Sequence, residues 1–409
     1  MIFRSAVFVR QALKAPARRY ATETGQVNYL SSFKLPKLMN NQLRKTRLYN
    51  FHVENGAKMV PFAGYSMPLS YGDVGQVASH NHVRSSAGLF DVGHMVQSKR
   101  LSRSHSHAIP RMVNSELIVC VKSIQFDFGG IIDDTVVTKH AEDAFYVVTN
   151  AGRRERDLAW FEEKLEEWNS SENAKKGLVE MEVLEDWGLL ALQGPEAASY
   201  LQGLTSLDLR KLTFGTSAFV PIEGFNLHVA RGGYTGEDGF EISIPPSQTV
   251  EVAKLLSKSP VQLTGLGARD SLRLEAGMCL YGNDLDEDTS PVEAGLSWVI
   301  GKARKESGGF IGAEDVREHL INGPPRRRVG FLIEGAPARQ GAKIFSGDEQ
   351  IGMITSGIPS PTLNQNIAMG YVKSGLHKKG TELEVEVRSK RRKAVVTAMP
   401  FVKSNYWRG

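Results

Sequence analysis

Between Gly129 and Ser243 the chain switches repeatedly between a two-residue and a three-to-four-residue hydrophobic period. Gly129-Gly130-Ile131-Ile132-Asp133-Asp134-Thr135-Val136-Val137-Thr138 reads as a turn entering a buried strand rich in β-branched residues. Phe145–Asn150 is a second strand, ended by Ala151-Gly152. Leu158, Phe161, Leu165 and Trp168 then share one helix face, with acids and bases opposite. Strands recur over Phe225–Ala230 and Glu241–Ile244, and a helix over Gly267–Ala276 is closed by Gly277. Single helices interrupt strands without a regular βαβ repeat, so the predicted class is α+β.

The pattern changes at Gly323-Pro324-Pro325-Arg326-Arg327-Arg328, which reads as a domain boundary with the arginines as a solvated linker. Beyond it Val329–Ile333, Gln350–Thr355, Ile367–Val372 and Thr381–Val387 are separated by Gly, Pro and Ser, which predicts a small all-β barrel or sandwich. Arg388–Lys393 reads as a hairpin tip or a docking surface for an acidic partner. Gly233-Tyr234-Thr235-Gly236-Glu237-Asp238-Gly239-Phe240-Glu241-Ile242-Ser243 reads as a hairpin tip turning at Asp238-Gly239. Tyr234, Glu237 and Glu241 are more chemistry than a turn requires.

The N-terminus changes the charge argument. Met1–Tyr20 carries Arg4, Arg10, Lys14, Arg18 and Arg19, interleaved with apolar residues, and no acid precedes Glu23. That pattern predicts a mitochondrial transit peptide over 1–20, followed by a polar linker over 21–42. The full chain is +5, from 50 basic and 45 acidic residues. Without 1–20 it holds 45 of each, and the case for nucleic-acid binding from a basic pI largely disappears. The remaining divisions are 43–322, two interleaved α+β domains, and 323–409, the β-domain. The 41% apolar content is ordinary for a globular chain, and no run approaches the roughly 18 apolar residues of a bilayer span.

Cys120 and Cys279 lie far apart and read as buried thiols. Gly265-Leu266-Gly267 lacks the third glycine and the distal acid of a dinucleotide fingerprint. His80-Asn81-His82 and His105-Ser106-His107 lack convergent acids and read as surface histidines, so no metal site is expected. Adjacent strand residues point to opposite faces, so only one of Asp133 and Asp134 is expected to face a pocket, with the other capping the turn. Arg273 and Glu275 are expected to form intrahelical pairs, and Glu237 to be a turn residue.

Several ordered segments carry a resemblance. They are Lys58–Gly64, Leu89-Phe90-Asp91-Val92-Gly93-His94-Met95, Gly129–Asp134, Leu190–Pro195, Gly233–Ser243, Ala268–Gly277, Leu280–Asp284, Pro291–Leu296 and Pro400–Tyr406. Together they resemble the T-protein family of the glycine cleavage system, tetrahydrofolate-dependent aminomethyltransferases, from about Leu43 to Tyr406. The resemblance implies transfer of a one-carbon unit from an aminomethyl-lipoyl arm on H-protein to tetrahydrofolate. The products would be ammonia, reduced lipoyl and 5,10-methylenetetrahydrofolate, formed in the mitochondrial matrix. It also implies a three-domain cloverleaf around a central folate pocket, ending in the small β-domain.

Carried over residue by residue, the resemblance makes Asp134 the catalytic acid and places Glu241 on the pterin ring. Arg269 becomes a substrate-contacting cation. Tyr234, Tyr146 and Tyr406 become aromatic walls, and Asn150 and Met95 pocket residues. Two departures stand out. Gly93 occupies a position where serine is common in the family. Val96–Phe128 is several residues short and lacks the family's helix, loop and strand, so the alternative is a T-protein impaired by that segment. A folate-binding iron–sulfur assembly protein of the same superfamily is a further alternative. Its Lys-Gly-Cys-Tyr-x-Gly-Gln-Glu signature is missing from Glu275–Tyr281. Demethylating relatives fused to flavin dehydrogenases need a dinucleotide domain for which this chain lacks room and motif.

Overall fold

Six strands in the order Ser217–Ile222, Phe225–Arg231, Gly239–Ile244, Gly188–Gln193, Ala87–Asp91 and Val261–Leu263 make the largest open sheet. The computed structural model describes residues 43–102, 122–125, 129–140 and 143–409. The expected transit peptide and linker, His105 and His107, Cys120 and most of the divergent segment therefore lie outside the described residues. Leu43–Gly409 forms one compact unit.

The six-stranded sheet is buried on both faces along Gly188–Gln193, which is why Gly188-Leu189-Leu190-Ala191-Leu192 shows no polar alternation. Leu190 and Leu192 pack on one side with Val229, Phe240, Ile242 and Leu201. Leu189 and Ala191 pack on the other with Phe90, Val92, Tyr146, Val148, Ala268 and Leu272. Fully burying one leucine of this kind contributes about 1.5–3 kcal/mol.

A five-stranded sheet, ordered Lys122–Gln125, Ile131–Lys139, Ala144–Thr149, Val96–Ser102 and Val179–Val183, supplies Tyr146 and Val148 to that second core. Val96–Ser102, the start of the divergent segment, pairs with a strand on each side. A smaller sheet orders Arg44–Lys45, Tyr65–Tyr71 and Ala57–Phe62. The helix Leu266–Glu275 lends Ala268 and Leu272 to the second core, and its Leu274 packs on Ile358, Ile367 and Met369 of the C-terminal domain.

The C-terminal domain is a closed six-stranded barrel, ordered Arg326–Ile333, Gln365–Lys373, Glu349–Ser360, Lys343–Ser346, Glu382–Val387 and Lys390–Thr397. Closure leaves no free edge. Lys343–Ser346 and Lys390–Thr397 are the strands that the hydrophobic pattern did not show. The second is basic where it turns outward, while Ala394 and Val396 fill the core.

Several expectations are corrected. The hairpin joining Phe225–Arg231 to Gly239–Ile244 does not turn at Asp238-Gly239, because Arg231 already faces Phe240. Its left-handed residue is Gly236 (φ 80°), and Gly239 lies in the strand, where a Cβ would come 2.3 Å from the Leu192 carbonyl oxygen. Arg326–Arg328 are no linker: they begin the first barrel strand, with Arg326 on Glu293 (3.0 Å) and Arg328 donating to Ala294 O (2.8 Å). The tip near Arg388–Lys393 is confined to Arg388 and Ser389, both at positive φ. His80 is not a surface histidine; it is fully buried against Ser271, Thr362 and Glu275. On the helix Arg154–Ser170 the deepest residues are Asp157 and Trp160, not the four apolar residues that define its stripe.

Candidate functional site

The strand Ile131–Lys139 carries Asp133 and Asp134 past the end of Ala144–Thr149, where Asn150 follows. Asn150 draws both acids together. Its backbone N–H donates to Asp133 Oδ2 (2.9 Å), and its Nδ2 donates to Asp133 Oδ1 (2.8 Å) and Asp134 Oδ1 (2.6 Å). Strand alternation still separates the two: Asp133 is fully buried and Asp134 is partly open. Asp133 is thus not a turn cap but a clamp on Asn150. Burial, then the charge of Asp133, raises the Asp134 carboxyl to about 7, with Asp284 adding to the effect. Such a group exchanges a proton near neutral pH, as a general acid or base must.

A second constellation faces it. Arg269, on the helix Leu266–Glu275, lies over the Tyr234 ring at 4.8 Å. Glu241, on Gly239–Ile244, is held above its ordinary value by burial, which the charge of Arg269 partly offsets. Burial lowers the Arg269 guanidinium in turn. Yet among the described residues no hydrogen bond or ion pair reaches the Glu241 carboxylate, and Arg269 Nη1 is buried without a partner. Buried polar groups are ordinarily satisfied, and unpaired ones cost a few kcal/mol. A carboxylate acceptor and a guanidinium donor left open side by side suit a flat, polar-edged ligand. Tyr234 joins the two constellations: its hydroxyl donates to Cys279 O, and its environment includes Arg273, Asp134, Arg269 and Asp284.

Met95 lies at the rim of the core that holds Tyr146, Phe90 and Leu272. Tyr146 is more scaffold than wall. Its hydroxyl donates to Gln97 Oε1 (2.7 Å) and one ring face is covered by His140, stacked at 5.3 Å. Tyr406 is set beyond the Tyr234 loop, stacked on Phe214 at 4.2 Å beside Glu237 and Arg84, with its hydroxyl lacking a partner. The tail brings it there: Asn405 N donates to Gly236 O (2.8 Å) and Phe214 N to Trp407 O (2.7 Å).

Ions around the site are fully matched. Glu275 does not form the expected intrahelical pair. It accepts from Arg84 Nη2 (2.7 Å), Ser360 Oγ (2.5 Å) and Thr362 Oγ1 (2.8 Å). Glu237 is buried between Arg84 (2.7 Å) and Asn405 (2.9 Å). Arg273 does pair within its helix with Asp270 (2.8 Å), and also reaches Asp284 (2.7 Å). Gly265 and Gly267 serve packing, since a Cβ on Gly265 would lie 2.3 Å from Leu69 O. Sequence reasoning missed Asp157, Gln97, His94 and Asp284. His94 is buried, lowered to about 4 by burial, and has Nδ1 unpaired. Its place beside Met95 was the available signal. No group of three or more metal-ligating side chains occurs among the described residues.

Comparison with known proteins decides the family. The family model of the GCVT N-terminal domain matches residues 48–304, and that of the glycine cleavage T-protein C-terminal barrel domain matches 326–403. The chain belongs to the glycine cleavage T-protein family of aminomethyltransferases. It is 48% identical to the mitochondrial aminomethyltransferase of Mesembryanthemum crystallinum, over 90% of this chain and 91% of that one. The human mitochondrial aminomethyltransferase is 46% identical over 89% of this chain and 91% of its own. Among solved structures, the glycine cleavage system aminomethyltransferase T of Bartonella henselae superposes with a TM-score of 0.80 at 36% identity, covering 90% of this chain and 100% of that one. No match supports the iron–sulfur alternative.

Proposed function

We propose that this T-protein transfers the aminomethyl-derived one-carbon unit to tetrahydrofolate, taking it from the lipoyl arm of H-protein. The observation that carries the reading is an open pair of ions: among the described residues no donor reaches the half-buried Glu241 carboxylate, and Arg269 Nη1 is buried without an acceptor. The Glu241 carboxylate suits the adjacent N–H donors of a pterin edge. Arg269 suits its polar rim or an anionic end, and Tyr234 offers a flat face. When bound, the folate supplies the amine nitrogens that accept the one-carbon unit. Asp134 orients the accepting amine and exchanges a proton with it; a carboxyl near 7 serves both directions at neutral pH. Asn150 and Met95 complete the pocket, and Tyr406, on the far side of the Tyr234 loop, closes it.

Localisation follows from two observations. The similar relatives are named mitochondrial, and Met1–Tyr20 is acid-free and arginine-bearing. We therefore place the mature chain in the matrix.

The test is ammonia release from aminomethylated H-protein, measured with and without tetrahydrofolate. Folate-dependent release, lost in Asp134→Asn, is expected. Release that ignores folate, or an Asp134→Asn protein with normal turnover, overturns the reading.

A further inference from the structure

The buried face of the same strand holds acids that the reaction does not use. Asp133 and Asp157 are both fully buried. Asp157 projects from the first turn of the helix Arg154–Ser170. Neither of its carboxyl oxygens receives a hydrogen bond from another group. It is nonetheless in hydrogen-bonding contact with the Asp133 carboxyl. Two buried carboxyl groups in contact require a proton of their own between them, even with the Thr149 hydroxyl and the Arg153 guanidinium beside Asp157. Asp133 meanwhile spends both oxygens on Asn150, one on its backbone N–H and one on its side-chain amide. That amide also meets Asp134. The polar chain thus runs Asp157, Asp133, Asn150, Asp134, with only its last member facing the pocket.

We propose that Asp133 and Asp157 are positioning residues: one proton held between them locks Asn150, and Asn150 fixes the Asp134 carboxylate. This rests on Asp134 being the working acid. Tyr281 responds to the charge of Asp133. Arg153 and Thr149 face Asp157. Asp133, Asn150 and Asp284 face Asp134, and Tyr234 responds to its charge. Burial, then the charge of Asp133, raises Asp157, and burial raises Asp133 too, so the pair keeps one proton and one charge at neutral pH. That charge helps raise Asp134.

Asp157→Asn is isoelectric with a protonated Asp157 and keeps an N–H donor toward Asp133. It should recover most of the kcat that Asp157→Ala, with no donor toward Asp133, loses, a loss of at least about tenfold. Asp133→Asn removes a like charge beside Asp134 and one acceptor of Asn150. Its acid limb should move down by about one pH unit, and its kcat should fall by at least about tenfold as the carboxylate loses its fixed orientation. Unchanged limbs in Asp133→Asn, with stability alone reduced, would overturn the proposal.

Infrared difference spectroscopy gives a readout independent of activity. The wild-type minus Asp157→Asn difference spectrum at neutral pH should show the C=O stretch of a protonated carboxylic acid, the half-protonated Asp134 common to both proteins cancelling. A difference spectrum without that band would also overturn the pair. Asp134→Asn, run beside them, separates the two failures. A normal Asp134→Asn condemns the catalytic assignment, whereas an inactive Asp134→Asn beside a normal Asp133→Asn condemns only the positioning one.

Discussion

Asp134→Asn should make the protein more stable while disabling it. The substitution keeps the shape of the side chain and an oxygen that accepts from Asn150 Nδ2, now 2.6 Å away. It removes a carboxyl that burial, and then Asp133, raises to about 7. In the unfolded chain the same group titrates near 3.9. A group raised by folding contributes its stability below the unfolded value and loses it as pH rises through the folded one, here between about pH 4 and 7. The difference of about three pK units corresponds to about 4 kcal/mol as an upper limit. Asparagine never ionises, so the two proteins should be equally stable near pH 4. The variant should lead by about 2–4 kcal/mol at pH 8. Turnover should fall by about 10²–10⁴-fold, the usual contribution of a positioned acid or base. Urea unfolding at intervals from about pH 4 to 8, with the free energy extrapolated to water, measures the gap. A variant less stable at every pH, or a gap that does not widen with pH, would show that the carboxyl carries no folding cost and would remove the physical basis for its acid–base role.

Other substitutions separate binding from scaffold. Wild-type kcat/KM should rise with pH through about 7 as the Asp134 carboxylate forms; a flat profile across that range refutes the assignment. Glu241→Ala should weaken folate binding by at least about tenfold, one lost charge-assisted contact, while shifting stability by less than about 1 kcal/mol. Equilibrium fluorescence titration tests it, and unchanged affinity is the adverse result. Glu275→Gln should cost about 3–5 kcal/mol, because it breaks a buried ion cluster that ties the helix Leu266–Glu275 to the barrel. Burial raises Glu275, but His80, Ser360 and Arg84 bring it down to about 2. Its contribution is therefore present above about pH 4 and lost as pH falls toward 2. An acid unfolding midpoint identical to the wild type would contradict this. Leu192→Ala should cost about 2–5 kcal/mol in denaturant unfolding with the folate affinity intact.

Elements whose hydrophobic period or β-branched run survives were legible from the sequence. The strand Ile131–Lys139, the helix Leu266–Glu275 and four of six barrel strands follow from pattern alone. Elements whose polarity serves another residue were not. Asp157 in the first turn of a helix reads as an acid favoured by the helix dipole, and only the fold reveals Asp133 against it. His80 reads as a surface histidine until Glu275 and Thr362 arrive from distant sequence. Lys390–Thr397 hides its strand behind four successive basic residues, three of them exposed. The pocket residues came from the family's motifs rather than from periodicity. Physical reasoning on Asp133-Asp134 gave the two faces and missed that Asn150, at the end of the neighbouring strand, reaches both.

Beside the matched ion clusters of the interior, the site holds an acceptor and a donor of opposite charge near one another and unbonded. Arg84, Glu237 and Glu275 form one matched cluster, and Arg273, Asp270 and Asp284 form another. Each charge in them is met by an opposite one or by hydrogen bonds, so they cost little and hold elements in register. Glu241 and Arg269 feel each other's charge without bonding. A direct ion pair there would be the cheaper arrangement for folding alone. Keeping the two apart leaves a donor and an acceptor for a ligand to satisfy. If that is the reason for the gap, Arg269→Lys should bind folate worse than its conserved charge suggests, because a flexible ammonium can swing onto Glu241 and close the opening. Equal affinity in Arg269→Lys would mean that charge alone, not the held geometry of the guanidinium, is what the pocket offers.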